Sequence, residues 1–188
     1  MRAGTVLDFV TAAMLVLAGP AAAADWNVVA AKSRLGFEGT AAGVPFEGRF
    51  NRWQARISFD AAAPDAARAT VTVDMGSAET GDPQKDAGLP QSEWFDAKTF
   101  PAATFEAHSF RAMGGHAYEA AGSLRIRDVK KDVVVPLSIE VEGDSLHASG
   151  RFEFERTDYG VGQGSWRSGQ WVALHVAATF DVTAERVR

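Results

Sequence analysis

The chain has 188 residues, 46% hydrophobic, 23% charged and 10% aromatic, the proportions of a folded domain rather than of disorder, collagen or coiled coil. Lys+Arg 19 against Asp+Glu 24 leaves a net charge of −5, which argues against a nucleic-acid binder held by phosphate contacts. Cysteine is absent, so disulfides, thiolate nucleophiles and Cys-ligated metals are excluded.

The hydrophobic residues are concentrated at the start. Arg2 precedes an apolar run from Phe9 to Gly19, and Pro20-Ala21-Ala22-Ala23-Ala24 follows before the polar Asp25. A charged start, a short apolar core and an A-x-A site predict a secretory signal, residues 1–24, cleaved after Ala24. The apolar run has eleven residues, too few for a spanning helix, which needs about 20. Asp8 departs from the usual signal pattern. Export is expected, and the expected mature domain is 25–188, at about 42% hydrophobic.

From residue 25 onward the apolar residues recur with period 2, the signature of half-buried strands. Leu35, Phe37 and Gly39 share one face, as do Phe46, Gly48 and Phe50, then Val71, Val73 and Met75. Ser77 to Ala102 interrupts the pattern with Gly81, Pro83, Gly88, Pro90 and Pro101, leaving room for short helical turns around Gln84–Leu89 and Gln91–Phe95. Connections of this length inside a compact domain are often functional. The alternation resumes in Phe105–Phe110 and His116–Ile126, joined by a Met113-Gly114-Gly115 turn. Val133–Val141 and Leu146–Phe154 flank Gly143-Asp144, a two-residue hairpin signal. Val172–Val182 is the last run. About eight or nine strands with short turns predict an all-β antiparallel barrel or sandwich.

No catalytic signature is present: G-x-S-x-G, H-E-x-x-H, Walker and EF-hand patterns are all missing. Gly160-Val161-Gly162-Gln163-Gly164 lacks the spacing of a nucleotide loop and is expected to be a strand connection. His108 and His116 flank a turn and could face each other, but no further ligands accompany them, so no metal is expected. Arg125, Arg127, Lys130 and Lys131 alternate with acids and are expected at a polar edge and turn. Arg156 continues the inward register of Gly150, Phe152 and Phe154. An inward charge needs a partner, and Asp158 is the expected one. The pair would either fix the barrel end or form a polar rim for a ligand head.

The inward aromatics are the second feature. A barrel of about eight strands either fills with side chains or holds one small apolar ligand. Gly39, Gly48, Gly122 and Gly150, small residues at inward positions, are expected to leave space.

The ordered set of motifs resembles the YceI-like family of lipocalin-like, polyisoprenoid-binding proteins across essentially all of 25–188. It comprises Ser33-Arg34-Leu35-Gly36-Phe37, Gly48-Arg49-Phe50, Thr80-Gly81-Asp82, Trp94-Phe95-Asp96, Phe100–Phe105, Gly122–Val129 and Arg156-Thr157-Asp158-Tyr159-Gly160-Val161-Gly162. Three positions depart from the family pattern: Lys32 stands for a His, Lys85-Asp86-Ala87-Gly88-Leu89 for Arg-Asp-x-His-Leu, and Asp128 for a Gly. These departures resemble the branch associated with cytochrome b561-type membrane proteins.

The resemblance implies an extended eight-stranded antiparallel barrel with an apolar tunnel for an isoprenoid lipid or quinone, and no catalytic residues, metal or other cofactor. The implied tail-binding residues are Phe37, Phe46, Phe50, Phe59, Val73, Trp94, Phe95, Phe105, Leu124, Ile126, Leu137, Phe152 and Phe154. Arg156, Asp158, Tyr159 and Trp166 would meet the head group, and Trp94 with Phe95 would form an apolar lid. The alternatives are a filled barrel that docks a membrane cytochrome, or an enzyme using Arg156 and Asp158.

Overall fold

A computed structural model describes residues 23–188. The expected export segment lies almost wholly outside the described residues. Eleven strands form one antiparallel sheet: β1 Ala24–Val28, β2 Arg34–Ala41, β3 Val44–Phe50, β4 Trp53–Phe59, β5 Arg68–Asp74 and β6 Ala78–Glu79, then β7 Ala102–Gly114, β8 Ala117–Ile126, β9 Val129–Glu142, β10 Ser145–Glu155 and β11 His175–Arg186. Eight of them close a ring, in the order β1-β4-β5-β7-β8-β9-β10-β11, with β11 pairing back to β1. The expected eight-stranded barrel is present.

The strand count exceeds the sequence estimate because the first barrel strand is broken. A 3-10 turn at Ala30–Lys32 splits it into β1 and β2. β1 pairs with β4 and with the end of β11, Trp26 opposite Arg186. β2 pairs with the earlier part of β11, Phe37 opposite Ala178, and carries β3 and the two-residue β6 outward. The break passes the β11 pairing from β1 to β2, so that β1 bridges β4 and β11 while β2 leads on into β3.

The turns follow local chemistry. Gly143-Asp144 joins β9 to β10 with Glu142 opposite Ser145, and Gly143 sits at φ 59°, which glycine adopts without penalty. The turn expected at Met113-Gly114-Gly115 falls slightly later: β7 runs on to Gly114, and Gly115-His116 joins it to β8. His108 and His116 do not meet: His108 is the extra residue of a bulge between the Ala107–Gly122 and Ser109–Ala121 pairs, and His116 lies in the turn. The long connection holds the short helix α1, Pro83–Gly88. The Asp82 side chain caps it by accepting from the Gln84 and Lys85 N–H groups.

At the closed end Trp26, Phe59, Phe110, Tyr118 and Leu146 form the densest part of the core. Phe59 meets Phe110 and Tyr118 edge-on, at centroid distances of 5.8 and 5.4 Å. The Trp26 indole N–H donates to the Phe59 carbonyl at 3.0 Å, so the closing strand is held by a side chain as well as by its ladder. Trp26→Ala should cost about 3–5 kcal/mol, the range for large aromatic truncations in a core. Urea denaturation monitored by far-UV circular dichroism measures that loss.

Candidate functional site

The barrel encloses a cavity of about 260 Å³ that reaches down to the Phe59, Phe110 and Leu146 side chains of the closed end. All thirteen residues expected to hold a tail line it: Phe37, Phe46, Phe50, Phe59, Val73, Trp94, Phe95, Phe105, Leu124, Ile126, Leu137, Phe152 and Phe154. For the strand residues of that set alternation accounts for the placement, because each inward stripe keeps its parity along its strand, whereas Trp94 and Phe95 come from the long connection. The wall also includes residues outside that set, among them Leu35, Trp53, Ile57, Val71, Phe110 and Phe180. Leu35, Val71 and Phe180 carry the same period-2 signal. Met75 extends the Val71 and Val73 stripe just past β5, and Leu89 enters from the long connection, where no period announces it.

The wall is apolar almost throughout. Among the described residues that line it, Glu38, Thr104 and Arg156 alone carry a charge or a hydroxyl. Glu38 turns its carboxylate to Arg151 on the outside, at 2.9 Å. Arg156 is therefore the one charged side chain that reaches the cavity.

Arg156 does not pair with Asp158. A 3-10 turn, Arg156–Tyr159, begins directly after β10 and ends the alternation. Asp158 consequently points to solvent, half exposed, and binds Lys131 at 2.7 Å. The Arg156 guanidinium is 2% exposed and donates to five main-chain carbonyls instead. These are Ala173 (2.9 Å), Val161 (2.8 Å), Gly162 (3.2 Å), Trp166 (2.6 Å) and Val172 (2.8 Å). Burial lowers its pKa from the ordinary arginine value. Glycine is required at 162, where φ is +79° and a methyl group would stand 1.8 Å from an Arg156 amino nitrogen.

Tyr159 and Trp166 also stand off the cavity. Tyr159 is buried against Met75, Ile126 and Val161 behind the wall, with its ring edge-on to Phe154 at 5.4 Å. Burial, with a smaller contribution from Asp158, raises its phenol pKa. Trp166 packs on Trp94 at 5.5 Å and donates its indole N–H to Glu93 at 3.1 Å. Of the four residues expected at a polar rim, Arg156 alone reaches the lumen, and its N–H groups are already engaged.

Trp94 is a fixed wall rather than a free lid. Arg156 lies over one side of its ring system, 5.3 Å from the ring centre, and Trp166 packs beside it. Arg127, expected at an exposed edge, is 8% exposed at its side chain. It donates to the carbonyls of Ser92 and Trp94, sits 3.7 Å from the Asp96 carboxylate and covers the Phe100 ring. The two-residue turn Arg127-Asp128 aims it there, with Arg127 at φ 55°. The other end of the connection is tied by Asp86, which accepts from the Thr80 N–H (2.6 Å) and hydroxyl (2.7 Å). Those two bonds hold the Asp86 carboxyl below its usual pKa.

The comparisons agree with this architecture. The YceI-like domain profile matches residues 26–184. The chain belongs to the YceI-like family. This YceI-like protein is 26% identical over 156 residues to a UPF0312 protein of Pseudomonas syringae pv. syringae (strain B728a), covering 78% of this chain and 81% of the relative. It is 29% identical over 110 residues to a UPF0312 protein of Ectopseudomonas mendocina (strain ymp) and spans 58% of that relative. Among solved structures, Burkholderia cenocepacia BcnA superposes with a TM-score of 0.81 at 31% identity, over 84% of this chain and 99% of BcnA. A polyisoprenoid binding domain from Saccharophagus degradans, implicated in plant cell wall breakdown, shares the fold (TM-score 0.69, 18% identity, 88% and 99% coverage).

Two outcomes follow for this YceI-like protein. Arg156→Gln should destabilise it by about 3–5 kcal/mol, because it strips buried carbonyls of a charged donor. Arg156→Lys should not restore the loss, since an ammonium has three N–H groups for five carbonyls; chemical denaturation measures both. The second outcome concerns pH. A depressed folded-state pKa at Asp86 stabilises above the unfolded value and is lost as pH falls through the folded one, so the Thr80 tie should persist down to about pH 4 and release only below it. Hydrogen exchange at the Thr80 amide reads the release, and Asp86→Asn should abolish the acid-dependent step.

Proposed function

We propose that the protein binds and carries a long apolar lipid, an isoprenoid chain, in its barrel. The observation that supports this most is the cavity of about 260 Å³ whose lining is apolar almost throughout and whose one inward charge, Arg156, is already engaged by main-chain carbonyls. An apolar cavity of roughly 150 Å³ already stays dry and takes up benzene, because water there has no hydrogen-bond partners. Each CH₂ group buried contributes about 0.8 kcal/mol, so a long tail binds tightly without polar anchoring. A solved relative of the same fold is named for polyisoprenoid binding.

Catalysis is not part of the proposal. Arg156 is a fully engaged cation rather than an acid or base, and Asp158 lies outside with Lys131. Export to the periplasm belongs to the proposal and is supported by the signal-like pattern of residues 1–24. The finer form, a quinone exchanged with a cytochrome b561-type membrane protein, is supported by the family resemblance at Lys85–Leu89 and Asp128.

Native protein purified without detergent should yield a stoichiometric isoprenoid lipid on organic extraction and mass spectrometry, and the head group will appear in the same spectrum. Protein that is empty from its own host, and that fails to take up any isoprenoid when delipidated, would overturn the proposal.

A further inference from the structure

Gly48 lies directly opposite Phe37 in the β2–β3 ladder, and Gly39 lies directly opposite Phe46. All four point inward by alternation, and both rings line the cavity. A methyl group at Gly48 would stand 2.2 Å from Cζ of Phe37 and 2.6 Å from both of its Cε atoms. At Gly39 it would stand 2.7 Å from Cζ of Phe46 and 2.9 Å from Cε1. Each ring therefore lies back across the neighbouring strand, its tip seated on the bare backbone of the facing glycine. Phe180 does the same over Gly150 in the β10–β11 ladder, where a methyl would meet its Cζ at 2.5 Å.

The expected space at inward glycines is thus not left empty. It is filled by rings that would otherwise project toward the barrel axis. Gly122 has a different reason to be glycine: the Glu106 carbonyl oxygen would lie 2.2 Å from a methyl there, beside the bulge in β7.

We infer that Gly39 and Gly48 are specificity-determining residues, which set the bore of the cavity by letting Phe46 and Phe37 lie flat. The assignment rests on the lipid-binding function proposed above and adds to it the residues that make room for the methyl branches of such a chain. With alanine in place, an opposing ring must swing off the wall. It would move toward Phe50 and Phe95, whose centroids lie 5.2 and 6.4 Å from that of Phe37, and so into the lumen. A bore narrowed by a ring penalises a branched chain more than a straight one, because rigid interiors tolerate added volume poorly. Gly150 is unsuited to a test, since a methyl there also meets the Pro136 carbonyl oxygen at 2.8 Å.

The experiment uses delipidated full-length protein carrying cis-parinaric acid as a fluorescent probe. The probe is displaced by geranylgeraniol, which is methyl-branched, or by octadecanol, which is not. Gly48→Ala and Gly39→Ala should each weaken displacement by geranylgeraniol about tenfold or more, and by octadecanol much less. Adding Phe37→Leu to Gly48→Ala should restore geranylgeraniol binding, because the colliding ring is gone. Should Gly48→Ala alone fail to fold, a folded Gly48→Ala/Phe37→Leu variant that binds geranylgeraniol as the wild type does supports the same assignment. Equal losses for both chains, unchanged affinities, or no restoration by Phe37→Leu would each overturn it. Failure of the wild type to bind either chain would instead remove the proposed function.

Discussion

A guanidinium cut off from water must recover its hydration from the protein. Arg156 recovers it from five carbonyls spread over Val161 to Ala173. That segment has no strand ladder of its own beyond the single Ala41–Val172 bridge, so its carbonyls would otherwise be left to solvent or unpaired. The same cation faces Trp94, and Trp94 in turn supports Trp166. One side chain thereby fixes the returning segment and the wall that the long connection contributes to the cavity. Desolvating it is costly, and the five donors offset that cost without a carboxylate in the lumen. A carboxylate there would have repelled an anionic ligand head and attracted water. Carbonyls leave the positive charge in place and the cavity dry.

The hollow and the aromatics belong together. The eleven phenylalanines among the described residues could fill a small barrel outright. They do not because several are spent along the wall, as Phe37 and Phe46 are over their glycines, while Phe59 and Phe110 plug the closed end with Trp26 and Tyr118. The broken first strand adds to this. β1 pairs with both β4 and β11, whereas β2 pairs with β11 and β3, and the long connection with Leu89, Trp94 and Phe95 supplies wall there in place of a further barrel strand.

Period-2 alternation is a local property, and wherever it ran unbroken the sequence was a sound guide. It accounts for the inward strand residues that line the cavity and for the Gly143 turn, while Trp94 and Phe95, on the long connection, carry no such period. It failed where 3-10 turns interrupt a strand. Asp158 was expected beside Arg156 because parity was carried one turn too far, past the end of β10. Tyr159 and Trp166, which the family resemblance implies at a rim, lie beyond the same 3-10 turn and stand off the cavity. Arg127 was misread because a positive φ at the tip of a hairpin redirects its side chain inward, and nothing in a run of mixed charges signals that. The glycines were rightly taken as inward and wrongly as empty. A cross-strand partner depends on register, which a single strand's pattern does not contain.

The ring is closed by the two ends of the described chain, with Trp26, Asn27 and Val28 opposite Arg186, Glu185 and Ala184. Pairings between the most distant parts of a sequence form last and slowly, because their loop-closure entropy must be overcome before any contact compensates for it. The cavity consequently has no complete wall until the final strand has been synthesised and docked. A lipid then meets either an open, half-wound sheet or a finished container. Loading during assembly and loading after it are separate kinetic events, set apart by the arrival of a dozen C-terminal residues.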